Sequence, residues 1–367
     1  MKPADTRESF TSRMLSSDGA VSVLVVLLGF LVGTILVALV GKNPLNMYKA
    51  IFQSLSGYNI DNGKMNVRYI GETLNYAVPF ILCGFSMAFA ARAGLFNIGG
   101  EGQYIMGLTV AQVIGLLGPN VPGLHWALAI IGAAWGGIVG ILKAKYEVSE
   151  VVSTIMLNYV ALYLSRIICL QLPGASTYKT ANFPDTALLS NGFFQAITNN
   201  SMLNNGFFLM GLAVVVYWFI MEKTNLGFGL RATGFNREAA RCSGIPVVRS
   251  IAISMAIAGA FAGLAGGIVA LGSFRYGRVL SGMDNYGFNG IAVALVGNNT
   301  AIGTMLAGFL FGMHKNAQAL MQGKQIPKEI TFIIQGLIVV FIALRSAIAL
   351  YLAWRSKRQL QKEVLAK

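Results

Sequence analysis

Six polar side chains stand inside or beside long apolar runs and are the residues best suited to hold a polar solute. They are Asn97, Glu101, Gln103, Glu150, Asn158 and Asn289. An amide offers hydrogen-bond donors and an acceptor, whereas a carboxylate offers acceptors, so this set can read the edge of a heterocycle. A flat solute could also stack on rings, and the sequence offers Phe85, Tyr159, Tyr286 and Phe288. Asn158 and Asn289 are the strongest path candidates; for each, an interhelical hydrogen bond without solute contact is the alternative.

Three of the six lie in the stretch GLFNIGGEGQ, residues 94–103. Its glycines relax the backbone, Asn97 can cap the helix that follows, and Glu101 then meets the positive end of that helix. This pattern predicts a broken or tightly turned helix, which at membrane depth needs burial in protein or a water-filled cavity. The alternative is a plain cytoplasmic turn in which Arg92 marks the water boundary and pairs with Glu101.

The elements that position these residues are predicted to be membrane-spanning helices. Hydrophobic residues make up 55% of the 367 residues and charged residues 11%, and no alternating strand pattern is present. Ten apolar runs have or approach spanning length: Ala20–Val40, Tyr69–Ala90, Ile98–Leu117, Leu124–Leu142, Val151–Leu172, Gly206–Met221, Ile251–Leu271, Gly287–Gly297, Ile302–Met313 and Ile330–Tyr351. We expect an all-α, polytopic membrane helical bundle with about ten transmembrane segments.

Basic residues mark the ends of the apolar runs and set the orientation. The formal net charge is +14, yet the basic residues form no single surface, which argues against nucleic-acid binding. More of them fall on segments that are inside when both termini are cytoplasmic. We therefore expect a cytoplasmic segment at 1–19, a transmembrane domain at 20–353 and a basic cytoplasmic tail at 354–367. Within that domain, loop 223–247 would be cytoplasmic and loop 173–205 extracytoplasmic.

Signatures of catalysis are absent from the sequence. It contains no phosphate-binding GxxxxGK[ST] loop, no HExxH and no CxxC, and its three cysteines do not indicate a disulfide framework. The chain is therefore not expected to hydrolyse ATP by itself. Two glycine series at four-residue spacing, starting at Gly132 and Gly259, predict close helix packing within the chain, with a contact between subunits as the alternative.

The loop 223–247 is predicted to contain a short helix. Asn236 suits the N-cap, Glu238 the first turn, Arg241 the last turn and Gly244 the position after the helix. Two turns are too few for a stable isolated helix. It must rest on its own bundle or on the lipid interface, or dock a cytoplasmic partner through Arg237 and Arg241.

The segment GLRATGFNREAARCSGI resembles the cytoplasmic coupling loop of ABC-importer permeases of the branched-chain amino acid and simple-sugar group. RAGLFNIGGEGQYIMG, VSEVVSTIMLNYVA and NYGFNGIAVALVGNNTAIGTMLAG agree with this family. With GKNPLNMYKAIF, they are most similar to the nucleoside-importing subfamily, and the resemblance covers roughly Val21 to Ala353.

This resemblance implies a bacterial plasma-membrane permease with no cofactor of its own, because ATP and magnesium would bind a separate ABC ATPase. The other partners would be a second permease, expected to be a related but different chain, and an extracytoplasmic substrate-binding lipoprotein. The coupling residues would be Gly234, Asn236, Arg237, Glu238, Ala239, Ala240, Arg241 and Gly244. Simple sugars or other small polar solutes are alternative cargoes, and an ion-coupled secondary transporter or a membrane-embedded enzyme are alternatives of another class.

Overall fold

The structure, a computed structural model, describes residues 18–118 and 124–344. The segment before residue 18 and the tail 354–367 lie outside the described residues. The described chain is mostly helical, as expected for a polytopic membrane protein. Its α-helices are α1 (Asp18–Leu39), α2 (Leu45–Ser56), α3 (Arg68–Arg92), α4 (Gly100–Leu117), α5 (Leu124–Tyr146), α6 (Glu150–Leu170), α7 (Gly192–Ile197), α8 (Gly206–Lys223), α9 (Asn225–Phe235), α10 (Arg237–Cys242), α11 (Val247–Ile268), α12 (Tyr286–Val296), α13 (Ala301–Gly323) and α14 (Lys328–Ala343).

Each of the ten apolar runs overlaps one of these helices. Within the described residues, six helices are long and apolar enough to cross a membrane: α1, α3, α5, α6, α8 and α11, the last together with the π-helical turn Val269–Ser273 that continues it. Helix α12 has only 11 residues, which is about 16 Å at 1.5 Å per residue. It is therefore a half-helix by length.

The chain forms two compact units. In the described chain, one contains residues 18–44 and 326–344, and there α1 packs on α14, with Gly29 facing the side chain of Ile338. The other is Leu45–Gln325 and holds all six predicted solute-binding side chains. At its centre, α3 is buried along most of its length and contacts α4, α11, α12 and α13.

The two glycine series meet each other inside the second unit. A Cβ on Gly132 would overlap the carbonyl oxygen of Gly259, and one on Gly136 would overlap that of Met255. Helices α5 and α11 therefore touch backbone to backbone, and this confirms the predicted packing within the chain. Gly107 of α4 meets Gly263 in the same manner, so α11 lies close to both helices.

Short strands form on the connections between helices. β1 (Tyr58–Asn59) pairs antiparallel with β2 (Lys64–Met65) in a hairpin, and β3 (Lys179–Asn182) pairs antiparallel with β4 (Tyr276–Arg278). The loop 173–205, whose structure the sequence did not indicate, contains β3, a 3-10 turn at Asp185–Ala187 and α7. Its pairing with β4 brings it beside the segment that leads to α12.

Candidate functional site

The stretch GLFNIGGEGQ folds back alongside α3 after that helix ends. Gly94 has a positive φ of 73°, which glycine adopts without strain. The Nδ2 of Asn97 then donates to the Oγ of Ser86 at 3.0 Å. Ser86 lies six residues before the end of α3, about 9 Å along the axis at 1.5 Å per residue. The stretch is therefore a re-entrant turn, and α4 begins beside the interior of α3.

A closed network of side chains fixes this turn. Asn97 donates to the Oε1 of Gln103 at 3.0 Å and accepts from its Nε2 at 3.2 Å, while the Oγ of Ser86 donates to the same Oε1 at 3.2 Å. The Oδ1 of Asn97 also accepts from the amide of Gly99 at 3.1 Å. The expectation that Asn97 caps α4 is wrong, because Gly99 occupies the N-cap and Asn97 closes the turn before it.

Asn158 of α6 clamps the backbone of the same turn. Its Oδ1 accepts from the amide of Gly102 at 2.7 Å, and its Nδ2 donates to the carbonyl of Ile98 at 3.1 Å. Both polar groups of this amide are used, and the residue is fully buried. In this conformation Asn158 makes the interhelical bonds that stood as the alternative to a solute contact.

Glu101 holds the start of the half-helix α12. One carboxylate oxygen accepts from the amide of Asn285 at 2.8 Å and the other from the amide of Gly287 at 2.7 Å. Glu101 does lie in the first turn of α4, but its charge is directed at the positive end of α12. The suggested pairing with Arg92 is wrong, because Arg92 pairs with Glu222 at 2.5 Å.

A second charged group near α12 was missed by the sequence reasoning. Asp284 accepts from the hydroxyl of Tyr104 at 2.9 Å and from Nη1 of Arg278 at 3.1 Å. Asn285 follows with a positive φ of 65°. The signal available was a carboxylate directly before an αL-tolerant asparagine and a helix, but nothing in the sequence links it to Arg278 and Tyr104.

The remaining predicted solute-binding residues lie in two different environments. Glu150 forms an ion pair with Lys143 at 2.8 Å and so ties the start of α6 to the end of α5. Asn289 is half-buried on α12, and its side chain has no hydrogen-bond partner among the described residues. Of the aromatic candidates, Phe85 is fully buried and stacks on Tyr217 with ring centres 4.6 Å apart, whereas Tyr159 is 52% exposed.

The loop 223–247 contains the predicted short helix and one that was not predicted. In α10, Asn236 caps the N-terminus by accepting from the amide of Ala239 at 3.0 Å, and Glu238 pairs with Arg241 at 3.3 Å. Gly244 has a φ of 80°, as a residue after a helix end often does. The preceding helix α9 was missed because its glycine-rich sequence has low helix propensity.

One face of α10 rests on the protein and the rest is open. Ala240 is buried, Ala239, Glu238 and Arg241 are exposed, and Phe235 between α9 and α10 is 92% exposed. Gly234 packs so tightly that a Cβ there would overlap the carbonyl oxygen of Arg92. This placement gives α10 the support that so short a helix needs and leaves an exposed surface beside it.

The polar side chains of this site hold backbone segments in place. Within residues 18–118 and 124–344, no three His, Cys, Asp or Glu side chains are grouped so that they could hold a metal ion. The amides and carboxylates described above fix backbone segments, and the amide of Asn289 is available for a hydrogen bond.

Comparisons with known proteins agree with this arrangement. Residues 69–343 match the family described as "Branched-chain amino acid transport system / permease component". The guanosine ABC transporter permease protein of Bacillus subtilis is 39% identical over 89% of this chain and 94% of its own. The nucleoside ABC transporter permease protein of Lactococcus lactis is 34% identical over 90% and 92%. The glucose ABC transporter permease protein of Haloferax volcanii is 30% identical over 87% and 86%.

No solved structure shows significant similarity to the chain. The family consists of transport subunits of the plasma membrane, and ATP hydrolysis belongs to a separate subunit. By its match over most of its length, and by the helical structure in which its polar residues are set, this chain belongs to the branched-chain amino acid transport system permease family of ABC transporters.

Proposed function

We propose that the chain is the permease subunit of an ABC importer for nucleosides. The observation that carries this proposal is the similarity, over about nine-tenths of the chain, to two permeases named for guanosine and for nucleosides. The partners would be an ABC ATPase, a second and related permease, and an extracytoplasmic lipoprotein that delivers the solute.

The charge at α12 supports an uncharged solute. The N-terminus of a half-helix attracts anions, but Glu101 already occupies that of α12. Because the amides of Asn285 and Gly287 are already bonded to this carboxylate, the N-terminus of α12 offers no binding site for the anionic group of a phosphorylated or carboxylate solute, whereas an uncharged nucleoside needs none. Asn289, three residues into α12, is the side chain best placed to hydrogen-bond a base or ribose.

We further propose that the chain crosses the membrane about ten times with both termini in the cytoplasm. The ten apolar runs that each overlap a helix support this count. The excess of basic residues on the segments assigned to the cytoplasmic side supports the orientation. In this topology α9 and α10 are cytoplasmic, and β1, β2 and α7 are outside.

The ATPase is proposed to dock on α10. The support is its well-capped geometry, its exposed Glu238 and Arg241, and the exposed ring of Phe235 beside it. The residues assigned to this coupling role are Gly234, Asn236, Arg237, Glu238, Ala239, Ala240, Arg241 and Gly244. ATP-driven movement of the ATPase would reach the membrane domain through them.

Substrate class is tested with the importer purified from its native membrane with its partners and reconstituted in proteoliposomes. Uptake of labelled guanosine should require ATP and should be inhibited by an excess of unlabelled uridine but not by glucose. Glucose is the second candidate because the Haloferax volcanii relative is a glucose permease at 30% identity. Inhibition by glucose alone, or uptake without any ATPase in the purified complex, would reject the nucleoside importer.

Docking is tested with the native cysteines. Cys242 at the end of α10 is exposed, whereas Cys83 and Cys169 are buried, so a maleimide should label Cys242 selectively. We expect the assembled complex to protect Cys242, and stripping of the ATPase by mild denaturant to expose it. Equal labelling in both states would remove α10 from the ATPase interface.

A further inference from the structure

We infer that the GLFNIGGEGQ turn is a mechanical link that carries movement of α10 to the half-helix α12, and that Glu101 is the positioning residue at its far end. This inference rests on the proposed docking of the ATPase on α10. It assigns the turn a role in coupling, and it places Glu101 away from solute contact.

The first step is the contact between the coupling loop and the near end of the turn. A Cβ built on Gly94 would lie 2.9 Å from the Cα of Gly234, so the two backbones touch. Arg237 of α10 donates from Nη2 to the carbonyl of Gly94 at 3.3 Å. Glu222 joins Arg92 at the end of α3 to Arg231 of α9. A displacement of α9 and α10 therefore pushes directly on residues 92–94.

The second step is the stiffness of the turn itself. Asn97, Gln103 and Ser86 are each at most 1% exposed and share the hydrogen bonds described above. Asn158 adds bonds to Ile98 and Gly102 on the other side. Because a buried polar group left unpaired is expensive, bending within the turn is resisted, and a push at Gly94 moves Ile98–Gly102 as a block.

The third step is the grip of this block on α12. The carboxylate of Glu101 binds two amides at the start of α12, and a Cβ on Gly287 would overlap the backbone of Glu101. Asn285 stands in the left-handed region directly before the helix. Helix α12 thus has its N-terminus fixed to the turn, and a movement of the turn tilts the helix that carries Asn289.

The test compares transport with ATP hydrolysis in the reconstituted importer containing its ATPase, second permease and lipoprotein. Glu101→Gln removes the charge and places an amide opposite one backbone N–H. We expect guanosine uptake to fall by about tenfold or more, the factor that loss of one hydrogen bond to a charged group produces, while ATP hydrolysis stays within about twofold. The solute moved per ATP is the decisive readout, because a general folding defect would lower both rates together.

The matched control is Glu72→Gln. Glu72 of α3 is also buried and accepts a backbone amide, that of Met202 at 3.2 Å, but it does not contact the turn. Its variant should keep the native ratio of uptake to hydrolysis. A second pair acts at the near end of the link: Gly234→Ala should uncouple as Glu101→Gln does, whereas Gly229→Ala, whose Cβ would meet Ile245 at an ordinary 3.5 Å, should not.

Different results of these experiments would reject the mechanical link and the proposed importer function. Normal uptake per ATP in Glu101→Gln, or a parallel loss of uptake and hydrolysis in a correctly assembled complex, would overturn the link alone. If Glu101→Gln fails to reach the membrane, coupled transport by Gly234→Ala would overturn it instead. Absence of any ATPase from the native complex would reject the importer itself.

Discussion

Asn158 and Asn289 show how far the environment decides the role of one residue type. Both are single amides in apolar helices, and the sequence offers no feature that ranks one above the other. In the structure Asn158 uses both of its polar groups on the backbone of the re-entrant turn. Asn289 is half-buried and has a free amide within the described chain. The first is therefore an interhelical clamp and the second remains the path candidate.

Replacing each asparagine by leucine should separate these roles. Asn158→Leu leaves the amide of Gly102 and the carbonyl of Ile98 unpaired, and we expect the free energy of unfolding to fall by about 1–3 kcal/mol for each buried group. Asn289→Leu should change it by less than about 1 kcal/mol but impair guanosine uptake. Denaturant unfolding in detergent and uptake in proteoliposomes measure the two effects. Comparable destabilisation by both variants would make Asn289 a structural residue too.

At the scale of helices, glycine residues determine how closely two helices pack. In lipid, helix association depends on packing and not on water exclusion, and the contact of Gly132 with Gly259 brings α5 and α11 to backbone contact. Neither helix has space for a side chain at that crossing. The position of α11 matters for function because it also contacts α4, whose first turn carries Glu101.

From the close contact of α5 and α11 we predict which glycine substitutions lower stability. In Gly259→Ala the added methyl overlaps the carbonyl of Gly132, and overpacking of this kind lowers the free energy of unfolding by about 1–3 kcal/mol. Gly211 of α8 has nothing within 4 Å of its built Cβ, so Gly211→Ala should be neutral or slightly stabilising through helix propensity. Thermal unfolding of the two variants in the same detergent tests this difference. A stable Gly259→Ala would show that α5 and α11 are less closely packed than described.

The β1–β2 hairpin is tied down by charge. Asp61 pairs with Lys324 at the end of α13 and with Lys49 of α2, the latter at 2.6 Å. A hydrogen bond from Lys324, and a second from Lys49 with a smaller effect, lower the pKa of Asp61 to about 2. Because the folded pKa is below the usual value of about 3.9, the tie is complete above pH 4 and is lost as the pH falls toward 2.

The lowered pKa of Asp61 predicts how the hairpin responds to acid. Hydrogen-exchange protection of β1 and β2, corrected for the intrinsic rate, should be constant from pH 7 to about 4 and should decline toward about 2, where Asp61 becomes protonated. Asp61→Asn should have, throughout this pH range, the low protection that the native chain approaches near pH 2. A decline centred near pH 4 in the native chain would mean that the lysines do not hold this carboxylate.

At the scale of the whole molecule, different structural elements lie on the two proposed sides of the membrane. Helices α9 and α10 with the exposed Cys242 belong to the proposed cytoplasmic side, and the hairpin and α7 belong to the outer side. The proposed orientation rests on the excess of basic residues on the segments assigned to the cytoplasmic side, since positively charged segments are retained there during insertion.

Labelling of intact cells with a membrane-impermeant maleimide tests the orientation. Phe193→Cys in α7 and Tyr58→Cys in the hairpin replace residues that are 67% and 41% exposed, and both should be labelled from outside. The native Cys242 should stay unlabelled in intact cells and should react only after permeabilisation and stripping of the ATPase. Labelling of Cys242 in intact cells would show that the orientation is opposite to the proposed one, with α10 outside and inaccessible to a cytoplasmic ATPase.

The sequence by itself determined the class of the molecule and its local structure. Apolar runs dictate helices because backbone polar groups in lipid must pair within the segment, and each predicted run overlaps a helix. The capped helix 237–242 was predictable because Asn236, Glu238, Arg241 and Gly244 act through neighbours within one or two turns. The glycine series likewise indicated close packing within the chain.

Tertiary structure alone decided which helix each polar group serves. The partner of Glu101 stands at Asn285–Gly287, and the partner of Asn158 at Ile98–Gly102. A side chain in a span must satisfy its hydrogen bonds, but the one-dimensional sequence does not say which distant backbone will be within about 3 Å of it. The sequence therefore marked Glu101 as significant, and only the packing of α4 against α12 shows that it holds a helix in place.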